Sequence, residues 1–173
     1  MLQTLFASPE FRDPRYRGNK FKTPYRYVLS AVRAGGLQPA NVRPLMITMN
    51  QLGQPLFGCP TPDGYKDTEA AWLNPSAIAQ RVSFATALAA GRLPLLRRPD
   101  DEPEADRGPA ARAIAATGAD PLGVTGRPDP LGAAALLETL GPAIGDKTRD
   151  AVAQAEPGLR AALVLGSPDF MRH

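Results

Sequence analysis

One cysteine and one histidine limit the chemistry open to this chain. Cys59 sits in Gly58-Cys59-Pro60, and His173 is the last of 173 residues. A zinc site needs four converging ligands, which this pair does not supply. A Ser-His-acid or Cys-His group would have to use His173 at a fraying end. Cys59 has no basic partner to draw off its proton, so it reads as a small packed residue. There is no phosphate-binding P-loop and no dinucleotide fingerprint. Asp100-Asp101-Glu102 lacks the spacing of a calcium loop and reads as a solvated run. No catalytic residue, metal ligand or cofactor site is therefore expected.

Cations are what remain. Lys20 and Lys22 precede a capped helix start, where the helix dipole does not favour positive charge. That placement points to an anionic group from outside, either an upstream carboxylate or a ligand. With Asp63, Gly64 and Tyr65 of the 58–65 loop, and with Trp72 and Arg81, they form the candidate binding surface. A blander reading stands beside it. Lysine stems can cover Tyr and Trp faces while their charges stay wet, and Pro62, Gly64 and Tyr65 can simply shape a turn. Residues 1–33 carry a net +5 and the remainder −2, within a total of +3. A basic end steers acidic partners, or meets an acidic neighbour. No nucleic-acid motif accompanies it, so nucleic acid is not the expected partner.

The elements that must position these residues read as helices. Thr23 is an N-cap, Pro24 takes the first helical position, and Gly35 or Gly36 ends the run. Tyr25, Val28, Leu29 and Val32 share one stripe. A second helix is expected over about 41–52, with Leu45, Met46, Met49 and Leu52 inward and Gly53 after it. Residues 54–73, rich in Pro and Gly, form a long loop. Asn74 then caps a third helix that starts at Pro75, runs to about Ala90 and stops at Gly91. Its stripe is Ile78, Val82, Ala85 and Ala89, with Phe84 and Leu88 beside it, and Trp72 packs back at its entry.

Residues 97–109 hold no apolar side chain larger than Ala and are dense in charge and Pro. Such a stretch cannot bury enough surface to offset ordering, so 97–130 reads as a disordered linker or insertion. A weak Ala helix over 109–117 lies inside it. Helices resume with Asp129 as cap, carrying Ala133, Leu136, Leu137 and Leu140. A further helix is capped by Asp146, and a last one from Pro157 carries Leu159, Ala162, Leu163 and Gly166. The expected fold is all-α: an irregular multi-helix bundle with a long Pro/Gly-rich loop and a charged insertion. Its parts are a helical core over 1–96, a linker over 97–130, and C-terminal helices over 131–173 packing back on the core. No apolar run is long enough for a membrane span. No basic, apolar leader is visible at the start, and the compartment stays open.

One motif occurs twice. Leu5-Phe6-Ala7-Ser8-Pro9-Glu10-Phe11 is echoed by Val164-Leu165-Gly166-Ser167-Pro168-Asp169-Phe170. In each, a helix ends at a small residue, Ser caps a new turn, Pro and an acid open it, and Phe tucks into the core. Ten of eleven aromatics lie in residues 1–86, whereas 19 of 28 alanines lie after them. The first half is thus the thick structural centre, and the second reads as thin helices laid against something.

Ser8-Pro9-Glu10-Phe11, Lys20-Phe21-Lys22-Thr23-Pro24-Tyr25, Leu52-Gly53-Gln54-Pro55-Leu56-Phe57, Pro60-Thr61-Pro62-Asp63-Gly64-Tyr65, Ala71-Trp72-Leu73 and Gly166-Ser167-Pro168-Asp169-Phe170 follow one another in an order that resembles the C-terminal part of a DUF1800 protein. That family comprises large bacterial proteins of unknown function. The resemblance covers about 1–91 and 131–173. It implies a longer parent whose His- and Glu-rich motifs lie upstream and have no counterpart in this chain. It further implies a non-catalytic helical part that supports a site in that upstream region. The expected partner is then the upstream region, or a partner protein, facing the basic end and the Ala-rich helices. Part of a hydrolase-like enzyme site and a basic polyanion-binding module are the alternatives.

Overall fold

A Thr or Asn immediately before a Pro starts the two longest helices. The Thr23 hydroxyl accepts from the Arg26 N–H at 3.4 Å, and the Asn74 Oδ1 accepts from the Ala77 N–H at 2.8 Å. Both caps satisfy an otherwise orphaned first-turn donor. Pro at the next position loses nothing, since its missing N–H has no partner there anyway. Asn74→Ala is expected to lower stability by about 1 kcal/mol. Urea denaturation would read this directly, and an unchanged midpoint would rule it out.

The computed structural model describes residues 1–16, 18–96 and 130–173. Among them are eight α-helices: α1 (Leu2–Ala7), α2 (Pro24–Ala34), α3 (Arg43–Gln51), α4 (Glu69–Trp72), α5 (Pro75–Ala89), α6 (Ala133–Leu140), α7 (Asp146–Gln154) and α8 (Pro157–Leu165). The fold is all-α. The described residues hold no strand, only an isolated antiparallel bridge between Phe21 and Arg172. No helix among them is long and apolar enough to cross a membrane. The linker, the weak helix at 109–117, the acidic run at 100–102 and the cap at Asp129 lie outside the described residues.

The largest helix–helix interface joins α5 to α8. Small residues make it close. A methyl group on Gly166 would meet the Ala162 carbonyl at 3.0 Å, with Val82 and Ala85 just beyond. Ala85 and Ala161 are buried nearby in the sequence of these same helices. The α8 helix also packs on α6 and α7, and α2 on α3. Tyr27 ties three of these elements together. Its hydroxyl lies 3.0 Å from the Arg81 carbonyl oxygen on α5 and 3.1 Å from that of Leu165 on α8. Its ring meets Phe84 and Phe170 edge-on at 6.0 and 5.8 Å.

The buried faces agree with those expected only in part. In α2 Val28 and Val32 are buried as expected, but Tyr27 is buried with them and Tyr25 is exposed. In α3 Leu45 and Met49 are buried but Met46 is not, and in α5 Val82 faces out while Ala77 and Arg81 face in. In α8 Leu159 and Leu163 are exposed while Ala161, Val164 and Leu165 are buried. Each helix carries more apolar residues than one face can hide, so the neighbour decides which face is covered.

Other differences are local. The 54–73 segment contains the short α4. The α6 helix begins at Ala133 behind Gly132. Asp146 is the first residue of α7 rather than its cap. A second anion at that helix start is Asp169, whose Oδ2 accepts from the Gly145 N–H at 3.0 Å and the Thr148 hydroxyl at 2.6 Å. A carboxylate from the C-terminal turn thus faces the positive end of α7.

Candidate functional site

The chain end runs beside residues 20–22. The Lys22 N–H donates to the Met171 carbonyl at 2.8 Å, and Lys20 and His173 exchange both backbone bonds, at 3.2 and 2.9 Å. Side chains fasten the pair at its edges. Lys20 forms an ion pair with Asp67, and Arg172 reaches Glu69 at 2.5 Å. The neutral His173 ring accepts from Arg26 through Nε2 at 2.5 Å. Partial burial, then the nearby cations, hold the His173 pKa below its ordinary value.

Beneath this edge lie two buried cations. Lys22 is 8% exposed; its ammonium donates to the Phe170 carbonyl at 2.7 Å and sits 4.0 Å above the Phe170 ring. Arg81 has no exposed surface at all. Its guanidinium lies between the rings of Phe21 and Tyr27, at 4.6 and 4.8 Å, and Nη2 donates to the Lys22 carbonyl at 2.8 Å. Ring faces are negative, which makes each a partial counter-charge. Among the described residues, no carboxylate is hydrogen-bonded or ion-paired to either cation. Burial, and then the Arg81 charge, bring the Lys22 pKa down to about 8, and burial brings Arg81 to about 10. Arg81 Nε and Nη1 have no hydrogen-bond partner.

The expected surface therefore divides into two groups. Lys22 and Arg81 are brought together, but inside the protein, and Lys20 stays outside against Asp67. Lys22 is buried as a residue, and its ammonium lies over the Phe170 ring, beside the groove it helps to line.

The second group belongs to the loop. Trp72 is buried, its indole N–H donates to the Lys66 carbonyl at 2.7 Å, and its ring lies 6.1 Å from that of Tyr65. The Tyr65 hydroxyl donates to the Pro55 carbonyl at 2.9 Å, closing the loop on itself. Asp63 is exposed beside Gly64, and a hydrogen bond from Thr61 holds its carboxyl below the usual range. Asp67 and Glu69, which take Lys20 and Arg172, connect this loop to the basic edge.

Sequence reasoning missed the members supplied by distant segments. Phe170 reaches Lys22 across 148 residues, and Arg33 and Thr139 share a groove with it. Alternation in Lys20-Phe21-Lys22 was the available signal for a short extended segment there. Among the described residues, no three of His, Cys, Asp and Glu are grouped so as to hold a metal ion.

The family described as "Protein of unknown function (DUF1800)" matches residues 1–172. No curated protein and no solved structure matches the chain.

Proposed function

This chain belongs to the DUF1800 family of proteins of unknown function, and from that premise we propose that it is a non-catalytic helical part of a larger assembly. In this reading it packs over and supports a site carried by a polypeptide region outside these 173 residues. The observation that carries it is the state of the N-terminal motif. No residue of α1 is buried. Leu2, Leu5 and Phe6 on α1, with Phe11 and Tyr16 after it, are all at least half exposed. Phe6 and Phe11 meet edge-on, centroids 5.0 Å apart. A run of exposed large apolar side chains of this kind is what an interaction surface presents. The polyanion-binding reading draws less support, because Lys20, Arg15 and Arg172 already face Asp67, Asp13 and Glu69.

The test is site-specific photo-cross-linking. A photoreactive phenylalanine analogue replaces Phe6 in the gene product made in its own cell. Light should join position 6 to a polypeptide segment outside residues 1–173, of the same product or of a partner. Leu2→Asp with Leu5→Asp should lower that adduct about tenfold or more, as expected when central apolar anchors are lost. Cross-links confined to residues 1–173 would refute the reading.

A further inference from the structure

A groove of about 290 Å³ is lined by residues of α2, α6 and the C-terminal turn. Lys22 and Arg33 supply two cations, Ser30 and Thr139 two hydroxyls, and Leu140 and Phe170 apolar surface. No carboxylate of the described residues lines it. An ammonium has three donors, and Lys22 spends one on the Phe170 carbonyl. Near it stands Arg81, a second buried cation, which meets the Lys22 carbonyl oxygen and the faces of Phe21 and Tyr27. The Thr139 hydroxyl is committed to the Ala135 carbonyl at 2.8 Å, which leaves Ser30 as the hydroxyl donor at hand.

We infer that this groove binds a carboxylate carried on an apolar body. A buried ammonium and an exposed guanidinium lining one groove that no carboxylate of the described residues lines have an unmet preference for a negative charge, and low local polarity at Lys22 strengthens it. The apolar lining favours an acid with a hydrocarbon or aromatic portion over a heavily hydrated inorganic anion. The volume lies at the small end of ligand pockets, suited to one side chain or a small organic acid. A free acid and an acidic residue of a polypeptide share this chemistry. The inference does not depend on the covering of α1, since it concerns the opposite end of the sequence motif pair and a groove within this chain.

The experiment is an NMR titration of the full chain with three probes: sodium phenylacetate, its neutral analogue phenylacetamide, and the blocked dipeptide acetyl-Phe-Asp-amide. Saturable shifts are expected at Ser30, Arg33, Thr139 and Phe170 with an acid, and not with phenylacetamide. Saturation by phenylacetate identifies a free acid as sufficient, and saturation by the dipeptide alone identifies a polypeptide-borne one; both support the groove. Lys22→Met and Arg33→Gln should each weaken binding about tenfold, the loss of one charged hydrogen bond. Arg33 is exposed, so its variant keeps the test intact should Lys22→Met perturb the fold. No saturation by either acid, or equal shifts with phenylacetamide, would overturn the inference.

Discussion

Phe170→Ala is expected to cost the fold about 4 kcal/mol, whereas Phe11→Ala is expected to cost about 0.5 kcal/mol or less. The two phenylalanines occupy the same place in the same motif. The Phe11 N–H donates to the Ser8 hydroxyl at 3.3 Å, and the Phe170 N–H to that of Ser167 at 3.1 Å. Their surroundings differ completely. Phe170 is 2% exposed, stacks edge-on against Tyr27, and lies under the Lys22 ammonium. Truncating it opens a cavity where Tyr27 of α2 meets the C-terminal turn, and removes the ring beneath a buried cation. Phe11 is 54% exposed, and its ring meets that of Phe6 edge-on. Guanidinium denaturation of the two variants, with the slope checked for two-state behaviour, measures the difference. Equal losses would mean that α1 is packed on the core.

Stability is expected to rise, not fall, between pH 7.5 and 9.5. The Lys22 pKa is depressed from 10.5 to about 8 in the folded chain, first by burial and then by Arg81. Below about pH 8 both folded and unfolded chains hold the proton, and the cost of the buried charge is present in full. Between about 8 and 10.5 the unfolded chain holds a proton the native chain has released, so stability increases with pH. Screening of the part that meets the groove reduces the gain, and about 1–1.5 kcal/mol is expected across the measured range.

Of the charged groups around Lys22, Arg81 works in this direction. Arg81 faces it from α5, Lys20 and His173 flank it on the paired segment, and Arg33 shares its groove. Two other buried groups act mainly above this range and with opposite signs. Arg81, at about 10, adds stability as pH rises, whereas burial holds the Tyr27 phenol protonated above its ordinary value and so removes stability once the unfolded tyrosine ionises. Urea midpoints at half-unit pH steps test the rise, and Lys22→Met should flatten it. A wild-type midpoint that falls steadily across the range, with the same slope in Lys22→Met, would sink the assignment.

Much of the fold was legible in the sequence because its signals are local. Thr23-Pro24 and Asn74-Pro75 start their helices by bonds to the third residue onward, and the backbone at Gly53 takes the positive φ expected after α3. The all-α class, these helix starts and the Ser-Pro-acid-Phe turns all follow from contiguous residues. What was not legible was orientation. Tyr25 and Tyr27 are two positions apart on one helix, and nothing within that helix says which will meet α5 and α8.

The candidate site divides along the same line. The residue types, cationic and aromatic around 20–22 and 81, are plain in the sequence. Their burial is a product of the tertiary structure alone. Lys22 is covered because the chain returns 148 residues later to place the Phe170 ring and carbonyl against it. One copy of the repeated motif is core and the other surface for the same reason. Capping is decided within a few residues of chain, whereas burial depends on which distant element arrives to exclude water.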